Sequence, residues 1–171
     1  MDTRTAKKTW TMRTGYVPGL IGRVGELHGR YYASIWNSGA PFEILVLRHL
    51  CDFMDRYDPA VDLVLSAHDG NVLAGSIAIV GRPDPKEGDG AQLRFFIVDP
   101  AFHGRGMGKG LLHAALDWCR ERGVAKLFLW TVDNLPESRG LYESVGFRVV
   151  ERVPDDRYTV IRDNLRLELV L

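Results

Sequence analysis

The segment His103-Gly104-Arg105-Gly106-Met107-Gly108-Lys109 sets three glycines at alternate positions among an imidazole and two cations. Glycine removes side chains and tolerates positive φ, so backbone N–H groups in such a turn can converge on one anion. A helical pattern opens at Met107. A helix N-terminus brings unpaired amides and the positive end of the dipole to the same place. The economical ligand is a phosphate group. Two familiar phosphate loops do not fit. A GxGxxG fingerprint needs its third glycine one residue later, where Lys109 stands. A P-loop needs Ser or Thr after Gly-Lys, and here Gly110 follows. Glycines alone also describe a flexible surface turn ahead of an ordinary helix start.

The elements that must position this turn can be read from hydrophobic spacing. Thr9 to Val17 reads as a strand, with Pro18 in a first helical turn and apolar residues from Leu20 to Ile35 at helical spacing. Asn37 to Pro41 breaks that pattern. In a second helix Ile44, Leu47, Leu50, Cys51, Met54 and Tyr57 share one face, and Asp58-Pro59 stops it. Val61–Ala67 and Val72–Val80 flank Asp69-Gly70, a hairpin signal. A Gly- and Pro-rich loop leads to the strand Gln92–Val98, ended by Asp99-Pro100. The helix Met107–Arg122 takes Gly123 as its C-terminal cap. Lys126–Val132 is a strand, Glu137–Val145 a short helix ended by Gly146, and Phe147–Val153 with Val160–Leu171 a final hairpin. The order is β-α-α-β-β-β-α-β-α-β-β. Short turns make the early strands antiparallel, whereas the helical crossover from Gln92 to Val132 makes that pair parallel.

The bulk properties exclude several classes. A chain of 171 residues fits one domain, here 9–171 behind a polar lead at 1–8. Lys+Arg and Asp+Glu are equal at 22 each, so no surplus of positive charge favours nucleic acid or a membrane surface. The first residues lack the apolar core of a secretory leader, and no run reaches the roughly 20 apolar residues of a membrane span. The expectation is a cytoplasmic, reduced protein. Cys51 and Cys119 read as buried free thiols, and no Cys/His cluster suggests a metal.

The run Val98-Asp99-Pro100-Ala101-Phe102-His103-Gly104-Arg105-Gly106-Met107-Gly108-Lys109-Gly110-Leu111-Leu112 resembles motif A of the GNAT superfamily of N-acetyltransferases, written Q/R-x-x-G-x-G/A. The run from Asn134 through Leu141-Tyr142-Glu143-Ser144-Val145-Gly146-Phe147 resembles motif B. The element order matches the family fold over nearly the whole chain. Gly25-Glu26-Leu27-His28 before Tyr31-Tyr32 is also similar to GNAT domains fused to MarR-type regulators.

This resemblance implies an α/β (α+β) fold: a mixed, mostly antiparallel sheet of about seven strands with helices on both faces. It implies an acyl-CoA-dependent N-acyltransferase, with acetyl-CoA as the expected cosubstrate and an amine of a small molecule or peptide as the acceptor. The runner-up is an acyl-CoA-binding sensor or interaction module without turnover. Phe96, Ile97 and Val98 would pair with the pantetheine arm, and the amides of Gly104, Arg105, Gly106, Met107, Gly108 and Lys109 would hold the pyrophosphate. His103 stands where the motif has Gln or Arg, which moves the charge requirement to Arg105 and Lys109. Asn134 resembles an Asn that contacts the cofactor, one residue further from Tyr142 than the family spacing. Tyr142 matches the tyrosine that protonates the leaving thiolate, a role open to a phenol held beside sulfur; the alternative is a ring packed beside Phe147.

Family members often carry a Glu on the fourth strand. Ala91-Gln92-Leu93-Arg94-Phe95-Phe96 has none, and Arg94 cannot act as a base. His28, Glu26, Glu43 and Asp133 are base candidates without an assignment. Tyr31, Tyr32, Trp36, Phe42 and Trp130 either wall an acceptor pocket or pack as core. By fold analogy a homodimer would form through the C-terminal strands or helices.

Overall fold

The computed structural model describes residues 10–155 and 162–171. The lead at 1–8, the proposed strand start at Thr9 and the start of the last strand at 160–161 lie outside them. The elements are β1 (Thr11–Thr14), α1 (Leu20–Trp36), α2 (Ala40–Asp55), β2 (Leu63–Asp69), β3 (Val72–Val80), β4 (Ala91–Val98), a 3₁₀ turn (Pro100–Phe102), α3 (Met107–Glu121), β5 (Lys126–Val132), α4 (Pro136–Ser144), β6 (Arg148–Asp155) and β7 (Arg162–Val170). The strands form one sheet in the order β1-β2-β3-β4-β5-β7-β6, antiparallel except where β4 meets β5. Fold class and element order are as the sequence implies.

Because helices cover both faces, the central strands are apolar without alternation. From β2 and β3, Leu63, Leu65, Ala67, Ile77 and Ile79 meet α3 through Leu111, Leu112, Ala115 and Leu116. Val64, Ala78 and Val80 belong to the opposite cluster, with Leu20, Val24 and Leu27 of α1 and Leu50 and Phe53 of α2. Leu111 is fully buried, and burying such a side chain contributes about 1.5–3 kcal/mol.

Several boundaries differ from the expectation. β1 is shorter than Thr9–Val17, and Pro18 lies in a turn before α1, whose N-cap is Gly19. Pro41 lies in the first turn of α2, where a missing N–H removes no helical bond. The inner face of α2 is narrower than read: Ile44 and Cys51 are exposed, and Leu50 and Phe53 carry the burial. Cys119 alone of the two thiols is buried. The glycines inside α1 have a packing reason. A side chain at Gly25 would collide with Leu47 of α2, and one at Gly29 with Glu43, so α1 and α2 approach closely there.

Two irregularities shape the centre of the sheet. Ser76 pairs with Ile97 but Ala78 pairs with Arg94, so Phe95 and Phe96 form a bulge opposite Ile77. Phe95 adopts φ 50, left-handed for a non-glycine residue, and its carbonyl accepts from Ser76 Oγ at 2.7 Å. β4 pairs with β5 only at Ala91 and Gln92. Beyond Gln92 the two strands part and the β5-facing edge of β4 is open.

Candidate functional site

Two cavities occupy the opening between β4 and β5. The first, a groove of about 350 Å³, runs along the open end of β4 and over the glycine turn. Phe96, Ile97, Val98, His103, Gly104, Gly106, Met107, Gly108 and Lys109 all line it, as do Tyr31 and Tyr32 of α1 and Glu137, Ser138, Leu141 and Tyr142 of α4. The second, a chamber of about 290 Å³, lies under α1 and α2. His28, Tyr32, Trp36, Phe42 and His49 roof it, Arg94, Phe95 and Phe96 form one wall, and Trp130, Asp155, Arg162 and Asn164 the other. Tyr32, Phe96, Ser138 and Tyr142 line both cavities.

The turn is built for an anion by its backbone. Gly104 and Gly106 take φ 76 and 75, and Gly106 is the N-cap of α3 with no side-chain cap. Gly108 lies inside the helix and is not among the positive-φ glycines, so two glycines rather than three have a conformational reason. The first helical amide to find a backbone acceptor is Gly110, on Gly106 O at 2.9 Å, which leaves the amides of the first turn outward-facing. No acidic side chain stands in that turn. Asp99 accepts from Ala101 N at 2.9 Å and from Arg23 Nη2 at 2.6 Å, tying the start of the turn to α1. Trp10 Nε1 donates to Arg105 O at 3.2 Å, fixing its middle.

The side-chain charges are arranged differently from the expectation. Arg105 does not line the groove: its Nη1 donates to Asp69 Oδ2 at 2.8 Å and its guanidinium stacks 5.0 Å from the Phe102 ring. His103 Nε2 donates to Val98 O at 3.0 Å, occupying the last carbonyl of β4. Lys109 is the cationic side chain that lines the groove. Asn134 lines neither cavity, and its Oδ1 accepts from Trp36 Nε1 at 3.3 Å.

At the junction Tyr142 is buried, its ring 5.9 Å from Phe96 and 5.8 Å from Phe147. It packs in the core beside Phe147 and also lines both cavities. Burial raises its pKa, with Tyr32 adding to the effect, so the phenol keeps its proton. Burial likewise pushes Tyr32 up to about 12.

Of the base candidates only His28 lines a cavity. Glu26 pairs with Arg23 and Arg30, Asp133 with Arg152, and Glu43 lies against Gly29. His28 Nδ1 lies 2.8 Å from Val24 O, an acceptor only, so Nδ1 carries the proton and Nε2 the lone pair. Burial lowers its pKa to about 4, which keeps the ring neutral. Tyr32, Trp36 and Phe42 do form an aromatic wall, with Tyr32 centred 4.3 Å from Trp36 and 4.8 Å from Phe42. Trp130 joins the chamber, and its Nε1 donates to Glu87 O at 3.0 Å.

His49, Ser138, Asp155 and Arg162 also line the chamber, and nothing in their spacing announces it. Among the described residues no group of three His, Cys, Asp or Glu is placed to hold a metal, and no helix is long and apolar enough to cross a membrane.

A model of the acetyltransferase (GNAT) family matches residues 22–147. N-alpha-acetyltransferase RimI of Mycobacterium tuberculosis is 38% identical over 109 residues, covering 58% of this chain and 65% of that protein. Mycothiol acetyltransferase of Beutenbergia cavernae is 37% identical over 95 residues, covering 55% of this chain and 30% of that protein. These matches thus span less than two thirds of each relative's own length. Among solved structures, yncA of Salmonella typhimurium with its cofactor acetyl-CoA superposes with a TM-score of 0.72 at 20% identity, over 95% of this chain and 94% of that chain. That likeness establishes a common fold.

Proposed function

The chain belongs to the acetyltransferase (GNAT) family, and we propose that it transfers an acyl group from acetyl-CoA to a primary amine of a small molecule or peptide by direct attack. The observation that carries this reading is the meeting of a backbone-lined groove and an aromatic chamber at Tyr142. The donor's needs fit the groove. The open edge of β4 at Phe96, Ile97 and Val98 offers backbone to an extended amide-bearing arm, apart from the Val98 carbonyl, which His103 already takes. The outward amides from Gly104 to Lys109, with the Lys109 ammonium, suit a pyrophosphate. His103, in the groove lining, braces the loop through Val98 O, Arg105 braces it through Asp69, and Asn134 acts through Trp36.

Acetyl-CoA, when bound, supplies the activated acyl carbon. The chamber brings the amine to it from the opposite side, with His28 Nε2 accepting a hydrogen bond from the attacking nitrogen. A ring with a pKa of about 4 orients that nitrogen and does not itself retain the proton, which leaves by water. As the C–S bond breaks, Tyr142 gives its proton to the sulfur. The burial that raises the phenol's pKa keeps it protonated until the sulfur takes up charge beside it.

Calorimetry with acetyl-CoA tests the donor assignment, and an absence of binding at high micromolar ligand overturns it. The second reading, a sensor that binds acyl-CoA without turnover, is favoured by the lack of a carboxylate on β4. An amine screen that follows CoA release separates the two: equal background release from the wild type and Tyr142→Phe supports the sensor.

A further inference from the structure

The charged groups of the chamber differ in how they are satisfied. Asp155 Oδ2 accepts from Asn164 Nδ2 at 2.8 Å, and the buried Arg162 guanidinium lies 4.2 Å over Trp36. Glu87 stands on an exposed loop at the rim. Arg94 is the exception. It is half-buried on β4, its guanidinium stacks 5.1 Å from the Phe95 ring, and Nη2 donates to His49 Nδ1 at 2.9 Å. That partner is a weak match for a cation, because burial and Arg94 itself both lower the pKa of His49 and keep the imidazole neutral. Among the described residues no carboxylate forms an ion pair with Arg94; burial and the neighbouring Arg56 disfavour its charge, and Glu87 favours it. A guanidinium offers five N–H donors in a planar fork and stays charged when buried. Among the described residues one of the five is used here.

Such a group, stacked on its flat face with its edge toward a cavity, is completed by a bidentate anion. Resting on the acyltransferase reading, we propose that the acceptor is a small amine carrying an anionic oxygen group, a carboxylate or a phosphate, held by Arg94. The geometry sets its size. Arg94 precedes Phe96, at the cavity junction, by two residues across the bulge, and both line the chamber. The anion and the reacting nitrogen are then a few bonds apart, and a chamber of about 290 Å³ suits a compact molecule. The left-handed Phe95 fixes the ring beneath the guanidinium before any ligand arrives.

The test uses the whole chain and matched probes: L-phenylalanine with L-phenylalaninamide, glucosamine 6-phosphate with glucosamine, and a tripeptide with a free N-terminus. Acetyl-CoA binding is measured first by calorimetry, then kcat/KM for each amine from CoA release. The anionic member of at least one pair should exceed its neutral partner by 10-fold or more, and which pair responds distinguishes carboxylate from phosphate. Arg94→Gln should shrink that ratio by about 10- to 100-fold through KM, as expected for a charged hydrogen-bonded pair, with acetyl-CoA affinity unchanged. Arg94→Lys should restore only part, since an ammonium lacks the fork. Equal use of both members of every pair, preference for the tripeptide, no use of any probe by a protein that binds acetyl-CoA, or an equal loss on both members in Arg94→Gln overturns the acceptor proposal alone. Failure to bind acetyl-CoA removes the acyl-transfer reading beneath it.

Discussion

The groove and the chamber are neighbours made from different material. The groove comes mainly from one continuous stretch, the end of β4 through the first turn of α3, and its binding groups are backbone amides and carbonyls. The chamber is assembled from side chains on three helices, four strands and a loop. The contrast explains how His103 can replace the Gln or Arg of the family pattern. Amides fixed by a positive-φ turn present the same donors whatever side chains flank them. In the chamber, by contrast, a change of one side chain changes the chemistry offered.

Four measurements would break or sharpen this contrast. The largest effect belongs where the cavities meet. Tyr142→Phe should lower kcat by about 100- to 10,000-fold, the usual range for a positioned acid, while acetyl-CoA affinity by calorimetry stays the same. A parallel loss of affinity would mean that the ring shapes the groove rather than donates a proton.

The second concerns pH. His28 titrates near its ordinary 6.5 in the unfolded chain but at about 4 when folded. Between those values the unfolded chain binds the proton and the folded chain does not. The contribution of His28 to stability is therefore constant above pH 6.5 and falls as pH drops toward 4, by on the order of 3 kcal/mol. Urea unfolding at pH 7, 5.5 and 4 measures the fall, and His28→Gln should flatten it.

Third, Gly106→Val forces a β-branched residue into a left-handed φ, at about 1–2 kcal/mol. Acetyl-CoA should bind roughly tenfold more weakly, with the acceptor KM unmoved, because the chamber does not touch the turn.

The smallest effect is expected from Arg105→Gln. Its partly exposed pair with Asp69 is worth less than about 1 kcal/mol, so titration of acetyl-CoA should change by under about threefold. Lys109→Gln should weaken binding more and reduce its dependence on salt. The reverse ranking would return Arg105 to the ligand.

Much of the groove was legible because its logic is local. Glycine spacing, a strand before it and a helix after it lie within one stretch of chain, and the same stretch ends up lining the cavity. Arg105 and Asn134 show the limit of that reading. Both sit at motif positions, yet their side chains found partners distant in sequence, Asp69 and Trp36. Cys51 shows a related limit. On a helix, one residue of rotation separates a buried Leu50 from an exposed neighbour, and apolar spacing does not resolve it.

The sequence by itself determined the element order, the mixed sheet and the anion turn, since periodicity, turn chemistry and glycine conformations act over a few residues. Only the tertiary structure decided what lines the chamber. The bulge at Phe95 and Phe96 and the parting of β4 from β5 open a space that neither strand encodes alone. His28, His49, Arg94, Asp155 and Arg162 meet there from five elements, and side chains so far apart in the chain acquire a common chemistry only when packing brings them to one cavity.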